Sequence, residues 1–115
     1  MKATVTVKEN HVFRRIYRKG KSAVTPCVVI YCQKNRQGFS RLGVTVSTKL
    51  GHAVVRNRVR RQLREIWRLN RENMISGYDV IAVARVKAVR TPYRKMEEQY
   101  LHALAELGLM KENRP

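Results

Sequence analysis

The sequence predicts one small domain of the α+β class. Three segments have the apolar spacing of helices, residues 8–19, 49–73 and 91–107, and three have the composition of strands, residues 22–32, 40–47 and 78–85. The chain has 115 residues, of which 43% are hydrophobic, enough for one buried core. No repeat or linker divides it, so we expect a single domain over 1–115 with mobile ends at 1–7 and 109–115.

The first helix is predicted over residues 8–19. Val12, Phe13, Ile16 and Tyr17 recur at helical spacing, and Gly20 follows as a stop signal. Phe13 and Tyr17 lie one turn apart. They either belong to the core or line a groove in which rings stack on bases. Periodicity alone favours the core.

The strands are predicted from their β-branched residues. Residues 22–32 and 40–47 are separated by a short polar turn and are expected to form an antiparallel hairpin, with Pro26 marking a bulge or an edge. The nearly apolar segment 78–85 is expected to be central and buried. Residues 1–7 are expected to form an extended arm or edge strand.

One face of the 40–47 strand consists of glycine and small hydroxyl residues. Gly43, Thr45 and Ser47 alternate with apolar residues, so this face is either the floor of a ligand groove or an ordinary solvated surface. In the strand before it, Cys27 and Cys32 are five residues apart and are expected to face opposite sides. We interpret both cysteines as small buried hydrophobic residues.

The segment 49–73 is predicted as an amphipathic helix with a strongly basic face. Val55, Val59, Leu63 and Ile66 form its apolar stripe, with Trp67 beside them. Between residues 56 and 71 it carries seven arginines and one acid, Glu65: Arg56, Arg58, Arg60, Arg61, Arg64, Arg68 and Arg71.

This basic face indicates a function beyond solubility. Arginines crowd the start of the helix, where the helix dipole favours acids. This unfavourable placement indicates that function, and not helix stability, requires the arginines. The planar guanidinium group also suits phosphate oxygens. We therefore interpret the segment as a polyanion-binding helix, with a merely solvated face as the alternative.

The charge of the whole chain supports that interpretation. It has 25 lysines and arginines against 8 acids, a formal net charge of +17. Because such a charge destabilises a compact monomer, its benefit is expected in binding a polyanion, with nucleic acid the first candidate. A membrane surface is the second, but no lipidation motif or separate basic amphipathic segment supports it.

Motifs for catalysis are not found. His11, His52 and His102 are far apart in sequence, and only Asp79 among the acids lies in an apolar strand. A self-sufficient nuclease needs a carboxylate cluster or paired histidines. The residues therefore predict a nucleic-acid-binding protein without a catalytic or metal site of its own. Since no signal peptide or membrane span is recognisable, we expect a cytoplasmic location.

Residues 47–61 read STKLGHAVVRNRVRR and closely resemble the signature of the bacterial ribonuclease P protein component. The order of the flanking elements is similar as well, so the resemblance extends from about residue 9 to 107. Three positions depart from it. His52 stands where the family often has asparagine, Arg60 where lysine is common, and Tyr17 where some members have phenylalanine.

The resemblance implies a fold and an activity. The expected fold is an α-β-β-β-α-β-α two-layer sandwich, similar to a domain of a small-subunit ribosomal protein, with a left-handed βαβ crossover. The activity is removal of the 5′ leader from precursor tRNA by a ribonucleoprotein endonuclease. Its RNA subunit is the catalyst, and its magnesium ions are held mainly by that RNA. The resemblance implies no organic cofactor and one protein per RNA.

The resemblance also assigns roles to residues. A cleft for the leader is expected at Phe13, Tyr17 and Tyr31. Contacts to the catalytic RNA are expected from the arginine helix and its entry: Lys49, Arg56, Asn57, Arg58, Arg60, Arg61, Arg64 and Arg68. No residue of the protein itself is expected to be catalytic.

Two other classes remain as alternatives. A ribosomal protein would share the charge and the fold, but not the Arg56-Asn57-Arg58 context. A transcription regulator would place the arginine helix in a DNA major groove. This helix lacks the mixed Asn, Gln and Ser reading face that such a role requires.

Overall fold

A computed structural model describes residues 5–111 of the chain. Its helices and strands follow the expected order: α1 Asn10–Lys19, β1 Lys21–Val24, β2 Val28–Lys34, β3 Arg41–Thr45, α2 Ala53–Asn70, β4 Tyr78–Ala84 and α3 Tyr93–Glu106. Short 3-10 turns lie at Thr48–Leu50, Arg71–Asn73 and Val86–Val89. The α-β-β-β-α-β-α order of the α+β fold is confirmed.

The four strands form one sheet in the order β1-β2-β4-β3. β2 pairs antiparallel with β1 and with β4, whereas β3 pairs parallel with β4. The buried, central position of the 78–85 segment is confirmed. β3 and β4 are parallel neighbours joined through α2, and the left-handed sense of this crossover remains an implication of the resemblance.

The predicted hairpin between residues 22–32 and 40–47 is wrong. The first segment is two strands, β1 and β2, which pair with each other across a turn at Pro26. The hydroxyl of Thr25 closes that turn, lying 2.6 Å from the Val28 carbonyl oxygen and 3.0 Å from the Val28 nitrogen. β4 occupies the place beside β2 because its apolar residues require cover on both faces.

Helices cover both faces of the sheet. α2 and α3 pack on the face that carries Ile30, Val80 and Leu42, and they enclose the larger core there. α1 packs on the opposite face against Ile81 through Ile16 and its apolar neighbours. The two-layer description therefore fits α2, α3 and the sheet, to which α1 adds a short helix on the other side.

We expected both chain ends to be mobile, but parts of them form backbone hydrogen bonds with the rest of the fold. Residues 5–7 extend the sheet at β3: Val7 N–H donates to Leu42 O at 2.9 Å, and Leu42 N–H donates to Val5 O at 2.8 Å. Near the other end, Ile75 N–H donates to Leu109 O at 2.7 Å. The remaining parts of the expected mobile ends, 1–4 and 112–115, lie outside the described residues.

Both cysteines are free thiols within the larger core. The prediction of opposite faces is wrong because Cys27 precedes β2 and belongs to the turn, whereas Cys32 lies within the strand. The interpretation as small buried residues is confirmed. Burial raises the pKa of each thiol, so both stay protonated near neutral pH.

Candidate nucleic-acid interface

The orientation of α2 is set by its buried stripe. Val59, Leu63, Ile66 and Trp67 are buried in the core shared with α3 and the sheet. The opposite side of the helix faces solvent. It carries a shallow depression of about 440 Å³, which we call the arginine face, lined by Asn57, Arg60, Arg61, Arg64, Glu65 and Arg68.

The single acid of the arginine face is already paired. Arg68 donates to both carboxylate oxygens of Glu65, at 2.9 and 2.7 Å. These hydrogen bonds are the main reason that the pKa of Glu65 is lowered. Arg60 donates to Asn57 Oδ1 at 2.8 Å, which holds its guanidinium group over the helix.

Arg61 and Arg64 complete the arginine face. Both side chains are exposed, and neither forms an ion pair with any acid in the described part of the chain. Their guanidinium groups therefore keep their donors for an external acceptor. Several planar forks on one exposed surface match the geometry of successive phosphate groups.

Two other arginines of the same helix donate hydrogen bonds to backbone carbonyls. Arg56 Nε donates to the Gly51 carbonyl at 3.1 Å, at the entry of α2. Arg58 donates to the Val89 carbonyl at 2.9 Å, which ties α2 to the turn before α3. Sequence reasoning had assigned both arginines only to RNA, and no local pattern signals bonds of this kind.

Lys49 lies apart from the arginine face. The structure places it with Arg85 and Lys87 in a second groove, at the end of the sheet where β3 and β4 finish. Sequence reasoning assigned no role to Arg85 or Lys87. Their grouping depends on the parallel pairing of β3 and β4, which brings the ends of these two strands side by side.

On the other side of the sheet, three rings form one contiguous aromatic cluster. The ring centroids of Phe13 and Tyr17 are 6.3 Å apart. Those of Tyr17 and Tyr31 are 4.8 Å apart, with an edge-to-face angle of 83°. α1 and β2 thus bring together the three residues that the resemblance assigned to the leader cleft.

Within the aromatic cluster, the rings of Tyr17 and Phe13 have different environments. Tyr17 is 38% exposed, and its hydroxyl lies 3.0 Å from Thr45 Oγ1, within hydrogen-bond distance. Phe13 is half-buried over Gly43, where an added Cβ would come within 2.8 Å of its ring. On this face of β3, Gly43 lies beneath Phe13 and Thr45 lies beside Tyr17, and the choice between a groove floor and a solvated surface stays a prediction.

The buried Asp79 holds the other end of this face together. Arg41 donates to its two oxygens at 2.8 and 2.7 Å, and Asn35 donates at 2.9 Å. A nitrogen of Arg15 from α1 is 3.9 Å away. Burial alone would raise the pKa of Asp79, but these hydrogen bonds and positive charges outweigh it and lower the pKa.

The described residues do not assemble a metal site. No group of three or more His, Cys, Asp or Glu side chains lies close enough to hold an ion between residues 5 and 111. Asp79, the buried carboxylate of that range, already accepts hydrogen bonds from Arg41 and Asn35. In the same range, no helix is long and apolar enough to cross a membrane.

Comparison with known proteins decides the family. The model of the family described as Ribonuclease P matches residues 1–108 of the chain. The chain belongs to the ribonuclease P protein family. It is therefore the protein component of an RNA-based endoribonuclease that processes tRNA, and the RNA of ribonuclease P is its partner.

Individual members of the family are similar along nearly their whole length. The chain is 39% identical to the ribonuclease P protein component of Natranaerobius thermophilus, covering 98% of each chain. It is 42% identical to that of Alkaliphilus oremlandii, covering 96% of each. The solved ribonuclease P protein of Staphylococcus aureus superposes with a TM-score of 0.86 at 31% identity, covering 95% of this chain and all of the other.

Proposed function

We propose that the arginine face of α2 binds the catalytic RNA of ribonuclease P, with one protein per RNA. The observation that carries this proposal is the gathering of Arg60, Arg61, Arg64 and Arg68 around one depression, with Glu65 neutralised by Arg68. The first turn of α2 has no acid and no side-chain cap, so its N–H groups also favour a phosphate.

We further propose that the aromatic cluster binds the 5′ leader of precursor tRNA. Rings at 4.8 and 6.3 Å, with Tyr17 partly exposed, offer stacking surfaces to unpaired bases. Stacking requires no particular base, which suits a leader whose sequence differs from one tRNA to the next.

The two proposed surfaces belong to opposite sides of the sheet. Tyr31 and Phe13 pack with the α1 core, whereas the buried stripe of α2 belongs to the core on the other face. A strongly positive protein between two RNA strands reduces their mutual repulsion. The protein thus acts by positioning, and magnesium is held mainly by the RNA, where the phosphates are.

The proposal is tested by reconstitution with the RNA subunit of a bacterial ribonuclease P and a precursor tRNA at low magnesium. The complete complex should release the leader at the mature 5′ end, and the protein alone should not cleave. Cleavage at that site by the protein alone, persisting after removal of contaminating nucleases, would contradict the assignment of the chemistry to the RNA.

A further inference from the structure

The outer surface of α1 carries positive charge that neither of the two proposed surfaces uses. The helix Asn10–Lys19 contains Arg14, Arg15, Arg18 and Lys19, and it contains no acid. All four of these cationic side chains are exposed. We call them the α1 ridge. They occupy the part of α1 that remains after its buried face and its aromatic face are accounted for.

The α1 ridge faces away from the aromatic cluster. On the ridge side of α1, Arg15 Nε donates to Gln33 Oε1 at 3.1 Å. On the aromatic side, the Tyr17 hydroxyl lies 3.0 Å from Thr45 Oγ1. Gln33 and Thr45 belong to opposite ends of the sheet, because their partners on β4 are four residues apart, about 13 Å at roughly 3.3 Å per residue. The body of α1 therefore separates the ridge from the rings.

Arg15 is held in place by a buried carboxylate beneath it. One of its terminal nitrogens is 3.9 Å from the Asp79 carboxylate, whose side chain is 1% exposed, whereas the Arg15 side chain is 45% exposed. The bond to Gln33 fixes the guanidinium group at a second point. Because this group has five N–H donors, others remain for a phosphate. The ridge thus contains one fixed guanidinium group that is open to solvent.

The other three cations of the α1 ridge are not neutralised. Arg14, Arg18 and Lys19 form no ion pair with the acids of residues 5–111, whereas the exposed face of α3 pairs Lys95 with Glu98. Arg18 and Lys19 lie in the last turn of α1, where the helix dipole favours cations. Arg14 lies before that turn, where the dipole effect has faded. Helix stability therefore does not explain Arg14, and an anionic ligand does.

The chemistry of the α1 ridge matches double-stranded RNA better than a single strand. All of its side chains are cationic, so unpaired bases would find no ring to stack on. A double helix stacks its bases internally and presents phosphates and sugars to a protein. Arg14 and Arg18 are four residues apart, about 6 Å along the helix axis, which lets them reach neighbouring phosphates of one strand.

We propose that the α1 ridge binds the phosphate backbone of a double-stranded segment of RNA. This site is separate from the arginine face and from the aromatic cluster, and no residue of the motif at 47–61 belongs to it. The double-stranded segment is part of the catalytic RNA or of the precursor. Both present the same A-form backbone, so the experiment must separate these two sources.

The first experiment measures the affinity of the full chain for a plain RNA duplex of about 16 base pairs and for one of its strands alone. Arg14→Ala should weaken duplex binding about eightfold in 0.1 M salt and lower the slope of log affinity against log salt by about 0.9. The loss for the single strand should be smaller, because the aromatic cluster can bind that strand. Arg14→Lys keeps the charge and should keep the slope.

Arg94→Ala is the matched control, because it removes one exposed arginine from α3, on the other side of the sheet. It should leave duplex binding unchanged, and both variants should keep the unfolding temperature of the wild type. An equal loss for Arg94→Ala would show that only the total charge matters. That outcome, no loss for Arg14→Ala, or equal losses for duplex and single strand overturns the α1 ridge as a duplex site.

The second experiment identifies the RNA that supplies the duplex. Affinity of Arg14→Ala is measured for the catalytic RNA without substrate. The assembled ribonucleoprotein is then tested with precursors whose leaders contain either a hairpin or an unpaired stretch of the same length. A loss in the first assay assigns the duplex to the catalytic RNA, and a loss confined to the hairpin leader assigns it to the precursor. No loss in either assay overturns a role of the ridge in ribonuclease P. Arg64→Ala in the same assays reports on the arginine face, so the two proposals fail separately.

Discussion

Arginine side chains on one helix divide into two groups by what they contact. Arg56 and Arg58 are bonded to backbone carbonyls and fix the position of α2. Arg61 and Arg64 are exposed and form no ion pair with the acids of residues 5–111. The same residue type therefore serves the fold at the start of the helix and is exposed for an external ligand further along it.

Replacing Arg64 with alanine should weaken binding to the catalytic RNA without unfolding the protein. The free energy of unfolding should change by no more than about 0.5 kcal/mol at such an exposed site. The slope of log affinity against log salt should fall by about 0.7 to 0.9 for the lost phosphate contact. Arg36→Ala, which removes an exposed arginine from the turn after β2, is the control and should leave the slope unchanged.

Arg58→Ala provides the contrast to Arg64→Ala. The loss of its bond to Val89 is expected to cost about 1 kcal/mol of stability. If Arg64→Ala left both affinity and salt slope unchanged, the arginine face would be a solvated surface only.

Tyr31→Ala should weaken leader-bearing precursor tRNA selectively. One stacked base contributes about 1 to 3 kcal/mol, so affinity should fall about fivefold to a hundredfold or more, with no comparable loss for mature tRNA. Tyr31→Phe keeps the ring and should retain most of the binding. Equal losses for substrates with and without a leader would show that the ring is structural.

Phe13→Ala is expected to combine two effects. Its ring packs over Gly43 and against the α1 core, so truncation should cost stability as well as leader binding. Thermal unfolding measured beside the binding assay separates these effects. A variant that retains its unfolding temperature but loses leader affinity assigns the ring to the ligand.

At the scale of elements, α1 lies close to the sheet because two glycines remove side-chain bulk. A Cβ on Gly20 would lie 2.5 Å from the Cys32 carbonyl oxygen and 2.6 Å from that of Ile16. A Cβ on Gly43 would lie 2.8 Å from the tip of the Phe13 ring. The first contact involves only backbone, whereas the second involves the far end of a side chain.

Gly20→Ala should therefore destabilise the protein more than Gly43→Ala. The backbone must move to accept the new methyl group at position 20, at a cost of about 1 to 3 kcal/mol, measured by urea unfolding. Gly43→Ala should instead displace the Phe13 ring and weaken leader binding with a smaller loss of stability. The reverse order of stabilities would show that α1 is not held by the close approach at Gly20.

At the scale of the whole molecule, a buried carboxylate counterbalances part of the positive charge. Asp79 of β4 joins α1, β3 and the turn after β2 through Arg15, Arg41 and Asn35. In a chain of net charge +17, this acid offsets the repulsion between two neighbouring arginines. It thereby holds the end of the sheet beyond the aromatic cluster.

Asp79→Asn should destabilise the protein at neutral pH and much less in acid. Removing one member of a buried ion pair costs about 3 to 5 kcal/mol. Because the folded-state pKa of Asp79 is lowered, its contribution is complete above the unfolded value of about 3.9 and is lost as pH falls through the folded value.

The measurement is the free energy of unfolding of both proteins from neutral pH into acid, where their difference should start to shrink at about pH 3.9 and shrink further as pH falls. Glu98→Gln, which neutralises an exposed acid of α3, is the control and should show no such gap. A constant difference across that range would mean that the Asp79→Asn variant loses packing interactions and not a charge interaction.

The sequence by itself determined the three helices, the segments that form strands, the composition of the arginine face and the family. These properties depend on local spacing: apolar residues every three or four positions place the arginines opposite Val59 and Leu63 before any tertiary contact is known. The motif at residues 47–61 is equally local.

Only the tertiary structure decided which elements are neighbours. β4 enters between β2 and β3, and this single choice brings Arg41 to Asp79 and gathers Lys49, Arg85 and Lys87 in one groove. The pairing is set by which distant segments bury each other on both faces of the sheet. No short stretch of sequence contains that information. The hydrogen bond from Arg58 to the Val89 carbonyl, 31 residues away, also depends on tertiary packing. The carbonyl lies within reach of Arg58 only when α2 has packed against the turn.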